Sequence, residues 1–527
     1  MSTQKPQSTQ FWADRIAHEA KPHDGKHVIG DAKTPSGRIH VGSLRGVLIH
    51  DVIYKAVKDS GQKAEYVYRF DDFDPMDGFP PGLPENFQEH MGKPLCDVPT
   101  PEPEKGHDSF ARLYAEEFRD VFKKLDCKPR IVYSSEQYRA GKLNRLIQTA
   151  LEKAETFNEI NARVAKVKKP SGWLPINVVC PQCGKIGTTS VSDFDGKTVA
   201  YTCANVKYAK GCGNQGRISP FDGNAKLTWK ADWAATFVLH QVTIEGAGKD
   251  HYAAGGSRDV ANEVVEKVFD YPQPYNFPYE FFIMGGKKMS TSKGVGVSAI
   301  DMGQSLPPEL LRFVMARYKP QTAIDFNPDG ETVPRLYDDW DRFSRVYFGK
   351  ETTRDPDTGR IFELSQVQHA KPTEHFHPPF SYVAFLSQIP GVHLADAMEK
   401  YKGTALTTEE KHELDGRARY AKIWLDRFAP DDAKIRIVEK LDYAGLTESQ
   451  KAVLSEFAEF LETQKTADIP AQVDALKEIC EHNGLKTGDF FSAAYRIFIG
   501  RDKGPKLLPF LAALDKSFVV RRLQLKA

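Results

Sequence analysis

The chain has 527 residues, of which 72 are basic and 71 acidic, so its formal net charge is +1. This length exceeds one ordinary hydrophobic core, and we expect three or more domains. A composition of 40% hydrophobic and 27% charged residues excludes a disordered or fibrous protein, and no apolar run is long enough to span a membrane. With balanced charge, any nucleic-acid partner must bind a local cluster of basic residues.

The amino-terminal segment and the cysteines both indicate a reducing compartment. Residues 1–16 lack the apolar core of a secretory signal. Four of the seven cysteines fall within one short stretch, Cys180, Cys183, Cys203 and Cys212. Such crowding is typical of a metal site rather than of disulfides. We therefore expect a cytoplasmic protein that is not bound to a membrane.

The first 70 residues are predicted to form a βαβ unit. A short apolar strand at 26–32 leads into the loop TPSGRIHVGS. A helix with apolar residues at helical spacing then runs to about Lys58, and a second strand covers 65–70. Alternating strands and helices predict a parallel sheet, whose ligands bind at the carboxyl ends of the strands.

Further along the chain, the pattern changes several times. Residues 71–107 are acidic and proline-rich, and we interpret them as a long insertion over the sheet. Helices are predicted at about 108–125, 140–166 and 258–269. Beyond about residue 320 no strand is predicted, and helical stretches lie near 332–347, 408–428, 448–463, 470–483 and 507–514.

The predicted organisation is an α/β domain split by a metal-binding module and followed by an all-α region. The first half of the α/β domain, with its insertion, covers 1–170, and the module covers 171–225. The second half covers 226–330, and the helical region covers 331–527.

The loop after the first strand is a candidate phosphate-binding site. Because it lies where a strand gives way to a helix, backbone N–H groups and the positive end of the helix face any ligand. His40 and Ser43 can donate hydrogen bonds to phosphate oxygens. The alternative is an ordinary histidine near a turn, and this segment alone leaves both interpretations open.

A second candidate segment is GGKKMSTSKG, in which lysines and hydroxyls crowd between glycines just after an apolar strand. Such a loop can close over a triphosphate and set cations against the charge that develops on the leaving group. The alternative, a solvated basic loop, becomes weak when the two segments are considered together.

The cysteines of the module have zinc-ligand spacing. Cys180 and Cys183 form a CxxC knuckle, and Cys203 and Cys212 follow. Four thiolates suit tetrahedral zinc and leave no position open for catalysis, so we expect a structural zinc ion. Four free cysteines, or three ligands without Cys203, are the alternatives.

The two loop segments resemble the signature motifs of class I aminoacyl-tRNA synthetases. Residues 40–43 are similar to HIGH, with Ser43 in place of the second histidine, and residues 288–292 are similar to KMSKS. Thr291 replaces the second lysine of KMSKS, and we expect Lys293 to supply the missing cation. The resemblance implies a Rossmann-like catalytic domain, ATP with Mg²⁺, an aminoacyl-adenylate and transfer to the terminal ribose of a tRNA.

The resemblance also implies which residues form the nucleotide site. The catalytic residues would be His40, Lys288 and Lys293. The ATP contacts would be Pro35, Ser36, Gly37, His40, Gly42, Ser43, Lys288, Met289, Ser290, Thr291, Ser292 and Lys293.

Residue chemistry alone does not choose the amino acid. A lysine pocket needs an anion for the ε-ammonium and aromatic walls for the aliphatic stem. The candidates are Asp71, Asp72, Asp74, Asp250, Glu280, Trp229, Trp233, His251 and Tyr279.

Family resemblance does choose one. The segments FDDFDPMDG, WKADW, EGAGKDHYAAGGSRD, PYEFF and KMSTSKG are similar, in that order, to class I lysyl-tRNA synthetases. The segment FFSAAYRIFIGRDKGPKLLPFLAALDK is similar to the helical anticodon-binding region shared with glutamyl-tRNA synthetases. The resemblance implies that lysine contacts Thr34, Trp229, His251 and Tyr279.

We therefore expect ATP-dependent ligation of lysine to lysine tRNA, by a protein that also holds structural zinc. The alternatives are an arginyl- or glutamyl-tRNA synthetase, or a synthetase-like nucleic-acid-binding protein without catalysis. Nothing in the sequence indicates a symmetric partner surface, so we expect a monomer.

Overall fold

The computed structural model describes residues 11–283, 285, 297–367, 371–389, 391–440, 443–464, 468–504 and 506–526. The chain forms two compact units, and each of them takes up two stretches of the sequence. The first unit is Met1–Asn327 with Gly349–Pro372, and the second is Pro328–Phe348 with Thr373–Ala527. None of the described helices is long and apolar enough to cross a lipid bilayer.

Both strands and helices occur as far as residue 325. In chain order they are α1 (Trp12–Glu19), β1 (Lys26–Lys33), α2 (Leu44–Asp59), β2 (Lys63–Phe70), α3 (Phe110–Lys124), β3 (Arg130–Tyr133), α4 (Ser134–Arg139), α5 (Asn144–Glu152), α6 (Ala154–Arg163), β4 (Ile176–Val178), β5 (Thr189–Phe194), β6 (Val199–Cys203), β7 (Gln215–Ile218), β8 (Ala225–Leu227), α7 (Trp229–His240), β9 (Ile244–Gly248), α8 (Ser257–Lys267), β10 (Tyr275–Tyr279), β11 (Phe282–Ile283), α9 (Ala299–Ser305), α10 (Pro308–Ala316) and β12 (Ile324–Asp325).

Helices make up the regular structure after residue 325 in the described part of the chain. They are α11 (Thr332–Tyr347), α12 (Thr358–Leu364), α13 (Phe380–Leu386), α14 (Leu394–Lys402), α15 (Thr408–Arg427), α16 (Glu448–Thr463), α17 (Ile469–His482), α18 (Thr487–Ile499), α19 (Leu507–Ala513) and α20 (Lys516–Leu523).

A parallel sheet forms the centre of the first unit. In the described residues its strand order is β10-β9-β1-β2-β3, and every pairing within it is parallel. The order along the chain reverses between β1 and β9, where Ile29 lies opposite Ile244. Ligands of such sheets bind outside the carboxyl ends of the strands at this reversal. The predicted Rossmann-like α/β fold is confirmed.

Helix α2 is buried along most of its length because it packs between the sheet and helices of the same unit. Its residues from Leu44 to Ile53 are all buried, and they include the polar side chains of Arg45, His50 and Asp51. Each fully buried leucine, isoleucine or valine contributes about 1.5–3 kcal/mol. Gly46 is required by close approach, since a Cβ there would stand 2.6 Å from the Tyr279 hydroxyl oxygen.

The insertion and the module are both more ordered than the sequence pattern predicts. Within 71–107, short 3₁₀ turns enclose a small apolar core that contains Met76, Phe87 and Leu95. In the module, β5, β6 and β7 form an antiparallel sheet, while β4 pairs with β8 at its base. The helix predicted at 140–166 is interrupted at Lys153, between α5 and α6.

The second unit is all-α in the described residues, as predicted. Two of its helices, α15 and α16, begin with capping boxes at Thr407 and Thr447, which satisfy N–H groups that a helix start leaves without partners. Its core is built around apolar side chains of α16 and α18, including Phe457, Phe490 and Phe498.

Two short elements after residue 320 differ from the prediction. Strand β12 lies where no strand was predicted, because two residues are too few to show a strand pattern, and it exists by pairing with β11. Helix α12 belongs to the first unit, where Arg360 binds Asp14 at 2.9 Å and Asp59 at 2.8 Å.

Candidate active site and metal centre

The loop after β1 lies against described residues that precede and follow the lysine-rich segment in the sequence. The Val41 N–H donates to the Val297 carbonyl at 3.0 Å, and the Ala299 N–H donates to the Ile39 carbonyl at 3.0 Å. A Cβ at Gly42 would stand 3.1 Å from the Phe282 carbonyl oxygen. Phe282 and Val297 flank the lysine-rich segment in the sequence, so the fold brings the residues on either side of that segment next to the first motif.

Half of the predicted nucleotide contacts can be placed. Pro35 and Gly37 are buried after β1, and His40 precedes a 3₁₀ turn at Val41–Ser43 that leads into α2. The His40 ring lies so close to Gly42 that a Cβ there would stand 2.9 Å from its Nδ1 atom. The other six, Lys288, Met289, Ser290, Thr291, Ser292 and Lys293, lie outside the described residues, and their roles stay predictions.

A cavity of about 290 Å³ opens at the carboxyl ends of β1 and β9, where the strand order reverses. Its described lining brings together the four residues that resemblance assigned to lysine. The lining includes Asp31, Lys33, Thr34, Ser36, Arg69, Asp71, Trp229, Trp233, Glu245, Gly246, His251 and Tyr279.

One wall of this cavity is aromatic. The indole rings of Trp229 and Trp233 stack with centroids 5.8 Å apart and an interplanar angle of 16°. The His251 ring lies 5.3 Å from the Trp229 ring and 5.4 Å from the Trp233 ring. A surface of this kind packs against an alkyl stem and attracts a cation over its face.

The floor of the cavity is acidic. Glu245 is 8% exposed, and its carboxylate accepts a hydrogen bond from Trp233 Nε1 at 2.5 Å. Burial raises the pKa of the Glu245 carboxyl, despite Arg258 beside it. Asp31 accepts hydrogen bonds from the Ala32 N–H at 2.8 Å and from the Tyr66 hydroxyl at 3.3 Å.

Sequence reasoning missed both Asp31 and Glu245. Asp31 lies near the carboxyl end of β1, and Glu245 is the one charged residue of β9, so an acidic residue within a strand of the central sheet was the available signal. Of the acidic residues named instead, only Asp71 belongs to the described lining. Asp72 accepts hydrogen bonds from Ser135, and Glu280 pairs with Lys249 at 2.7 Å.

The charge of the described lining favours a cationic ligand. Carboxylates of Asp31, Asp71 and Glu245 face the basic side chains of Lys33 and Arg69. Burial raises the pKa of Asp71 to about 6, although Arg69 contacts it at 2.7 Å. A ligand that brings positive charge would hold the Asp71 and Glu245 carboxylates ionised.

The four cysteines of the module converge. The Sγ atoms of Cys180 and Cys212 are 3.6 Å apart, and those of Cys183 and Cys203 are 3.7 Å apart. All four lie within 4.8 Å of one another. Tetrahedral zinc with Zn–S bonds of about 2.3 Å sets sulfurs about 3.8 Å apart, so the residues fit that ion.

One tight turn, at Cys180–Gly184, and one longer-range backbone hydrogen bond, next to Cys212, hold these cysteines. The Gly184 N–H donates to the Cys180 carbonyl at 2.8 Å, and the Gly213 N–H donates to the Cys203 carbonyl at 3.0 Å. Burial opposes ionisation of Cys180, but N–H groups of Cys183 and Gln182 lower the pKa of its thiol to about 7. Thiolate, the form that binds metal, is thereby favoured.

Comparison with known proteins identifies the family. Residues 10–368 match the family model described as tRNA synthetases class I (K), and residues 422–526 match the model described as anticodon binding domain. The lysine–tRNA ligase of Methanosarcina barkeri is 32% identical, over 98% of this chain and 97% of that one. The lysine–tRNA ligase of Pyrococcus horikoshii is 31% identical, over 98% and 99%. That of Archaeoglobus fulgidus is 32% identical, over 97% and 99%.

One family model covers more than half of the chain, and these relatives align along almost all of it. The chain therefore belongs to the class I tRNA synthetases, in the family of the lysine–tRNA ligases.

Proposed function

We propose that the protein joins lysine to the 3′ end of lysine tRNA, using ATP and a lysyl-adenylate intermediate. The proposal depends mainly on one cavity, which is lined by carboxylates and tryptophans. It lies where the strand order reverses, next to the first nucleotide motif. The family uses ATP with Mg²⁺, an amino acid and tRNA. Mg²⁺ would bind with the phosphates of ATP and neutralise part of their charge.

Lysine carries two ammonium groups, and the cavity offers carboxylates for both. Asp31 and Glu245 would accept from them, while the stacked indoles of Trp229 and Trp233 would cover the aliphatic stem. Hydrogen bonds between ionised groups are the stronger ones. Burial holds the pKa of Tyr279 well above its usual range, so its phenol would stay a neutral donor beside the substrate.

Activation then needs positioning and charge stabilisation more than covalent catalysis. A carboxylate oxygen of lysine attacks the α-phosphorus of ATP, and the bond to pyrophosphate breaks with its electron pair leaving on pyrophosphate. His40 would donate to phosphate oxygens, and Lys288 and Lys293 would stabilise the charge on the departing pyrophosphate. A ribose hydroxyl of the tRNA then attacks the lysyl carbonyl carbon, and AMP leaves.

The remaining parts have supporting roles in this proposal. Cys180, Cys183, Cys203 and Cys212 would hold a structural zinc ion that stabilises the module and takes no part in the reaction. The helical unit, which contains the anticodon-binding match at 422–526, would bind the anticodon, whose unstacked bases proteins read by stacking and edge hydrogen bonds. We propose that the protein acts as a cytoplasmic monomer.

The test is ATP–pyrophosphate exchange by the full-length protein with each of the twenty amino acids. We expect exchange with lysine far above that with any other. Exchange with arginine or glutamate instead would select another synthetase specificity. Exchange with none would indicate a nucleic-acid-binding protein without catalysis.

A further inference from the structure

A chain of buried polar contacts links the base of the inserted module to the lysine cavity. Lys226, on β8, is 4% exposed, and its Nζ lies 2.9 Å from an oxygen of Asp74. The other Asp74 oxygen accepts a hydrogen bond from the Thr34 hydroxyl at 2.8 Å. Thr34 lines the lysine cavity.

The same lysine is held from its other side. Its Nζ lies 3.0 Å from Asp232, which also accepts from the Tyr138 hydroxyl at 2.6 Å and from Arg69 at 2.8 Å. The contact with Asp232 therefore fixes the Lys226 ammonium group independently of Asp74. A fixed cation can in turn fix the carboxylate next to it.

Thr34 stands where two cavities meet. A second cavity, of about 490 Å³, shares Thr34, Ser36 and Trp229 with the lysine cavity and is also lined by Asp74 and Lys226. A threonine hydroxyl beside open space can rotate and donate to several acceptors. The hydrogen bond to Asp74 fixes one of these orientations.

We propose that Lys226 is a positioning residue for amino-acid binding. Lys226 fixes the Asp74 carboxylate, and Asp74 in turn holds the Thr34 hydroxyl in the orientation in which it contacts the substrate lysine. The proposal rests on the proposed function. Strand β8 pairs with β4, with Ile176 opposite Leu227, and β4 leads directly to Cys180. Strand β8, at which the chain returns from the inserted module to the α/β domain, thus supplies a residue that positions a substrate contact.

Two other effects of Lys226 predict different results. If its charge acted on the substrate directly, removing a cation near the cavity would strengthen the binding of cationic lysine. If Lys226 only held the fold together, its loss would lower stability and leave the KM for lysine unchanged. Positioning predicts a higher KM for lysine.

Lys55 provides a matched control. It is 2% exposed, lies 3.6 Å from Asp51 and donates to the Gln366 carbonyl at 3.3 Å. It is as buried as Lys226 and also pairs with an aspartate, but it belongs to the lining of neither cavity.

The experiment measures KM for lysine and for ATP in pyrophosphate exchange, together with the thermal unfolding temperature, for full-length variants. Lys226→Met and Thr34→Val should each raise the KM for lysine about tenfold, the loss of one hydrogen-bonded contact. Their double variant should show little more than one single change, because both remove the same interaction. Lys226→Arg should restore most of the lost affinity. Lys55→Met should lower the unfolding temperature and keep the KM for lysine within about twofold.

An unchanged or lowered KM for lysine in Lys226→Met would overturn the proposal, as would a double variant whose effects multiply to about a hundredfold. If Lys226→Met does not unfold cooperatively, Asp74→Asn takes its place in the same cycle with Thr34→Val. If the wild type activates an amino acid other than lysine, the proposed function is wrong, and the KM for that amino acid then tests Lys226. Exchange with no amino acid would overturn both.

Discussion

Two clusters of buried and half-buried charged side chains, one in each unit, differ in how their charges are satisfied. In the second unit, Glu413 accepts hydrogen bonds from His375 at 2.7 Å, His377 at 2.9 Å and Arg417 at 2.8 Å. Arg417, which is 3% exposed, also binds Asp341 at 2.9 Å. These groups satisfy one another.

The cluster around the lysine cavity is different because its carboxylates outnumber its cations and face open space. Glu245 has Trp233 at 2.5 Å, but its nearest recorded cation, Arg258, lies 3.4 Å away. Burial of a carboxylate costs stability even beside a cationic partner, and a cationic ligand can reduce that cost. The comparison indicates that charged side chains which a ligand must neutralise mark a binding site. Charged side chains that are fully paired within the protein mark a structural cluster.

The largest effect should come from removing a cation that stabilises the departing pyrophosphate. Lys293→Ala should lower the rate of adenylate formation about a hundredfold, roughly 3 kcal/mol, with little change in the KM for lysine. The reason is that Thr291 leaves the KMSKS-like segment without its usual cation. Pyrophosphate exchange at saturating lysine measures it, with Lys287→Ala as the control from the same segment. Near-wild-type exchange would assign the role to another lysine.

The second-largest effect tests whether the carboxylates of the lysine cavity bind a cationic ligand. Glu245→Gln keeps the shape of the side chain and an acceptor for Trp233 Nε1, but it removes the charge. The KM for lysine should rise tenfold or more, since hydrogen bonds to charged groups contribute about 1.5–3 kcal/mol, while the KM for ATP stays the same.

The matched control is Glu280→Gln, which removes a carboxylate that pairs with Lys249 and is absent from the described lining of the cavity. It should leave both KM values unchanged. If Glu245→Gln and Glu280→Gln change the KM for lysine equally, Glu245 does not bind the ligand, and the distinction between the two clusters fails.

A third variant separates structure from chemistry at the metal centre. Cys180→Ala should lose the zinc ion, about one per chain, and lower the thermal stability of the module. Elemental analysis measures the metal, and Cys480→Ala, another buried cysteine that lies in the second unit, is the control. Full zinc content in the Cys180→Ala protein would refute this ligand set.

The smallest effect concerns the internally satisfied cluster and depends on pH. The hydrogen bond to Glu413 raises the pKa of His375 above its ordinary value of 6.5. Its stabilising contribution is therefore fully present below the unfolded pKa and is lost as the pH rises through the folded pKa. His375→Gln should destabilise the protein at about pH 6 and much less at about pH 9, with the KM for lysine unchanged.

Denaturant midpoints at the two pH values measure this difference. His412→Gln, at an exposed position on α15, is the control for replacing a histidine of the same unit. An equal loss of stability at both pH values would mean that the histidine contributes packing and not charge.

Local patterns were predictable from the sequence, and distant pairings were not. The cysteine knuckle and the loop after β1 are each defined by residues a few positions apart, so spacing identified them. Asp31 and Glu245 meet only because β1 and β9 are neighbours in the sheet, and no periodicity records which strands pair. The return of α12 to the first unit depends in the same way on Arg360 reaching Asp14.

The central claim is that this one chain charges lysine tRNA with lysine. The most direct measurement is aminoacylation of a lysine tRNA transcript by the purified full-length protein, with labelled lysine, arginine and glutamate in parallel. The account predicts ATP-dependent formation of lysyl-tRNA, no comparable product with arginine or glutamate, and a raised KM for lysine in the Glu245→Gln variant. Charging with arginine or glutamate, or no charging at all, would contradict it.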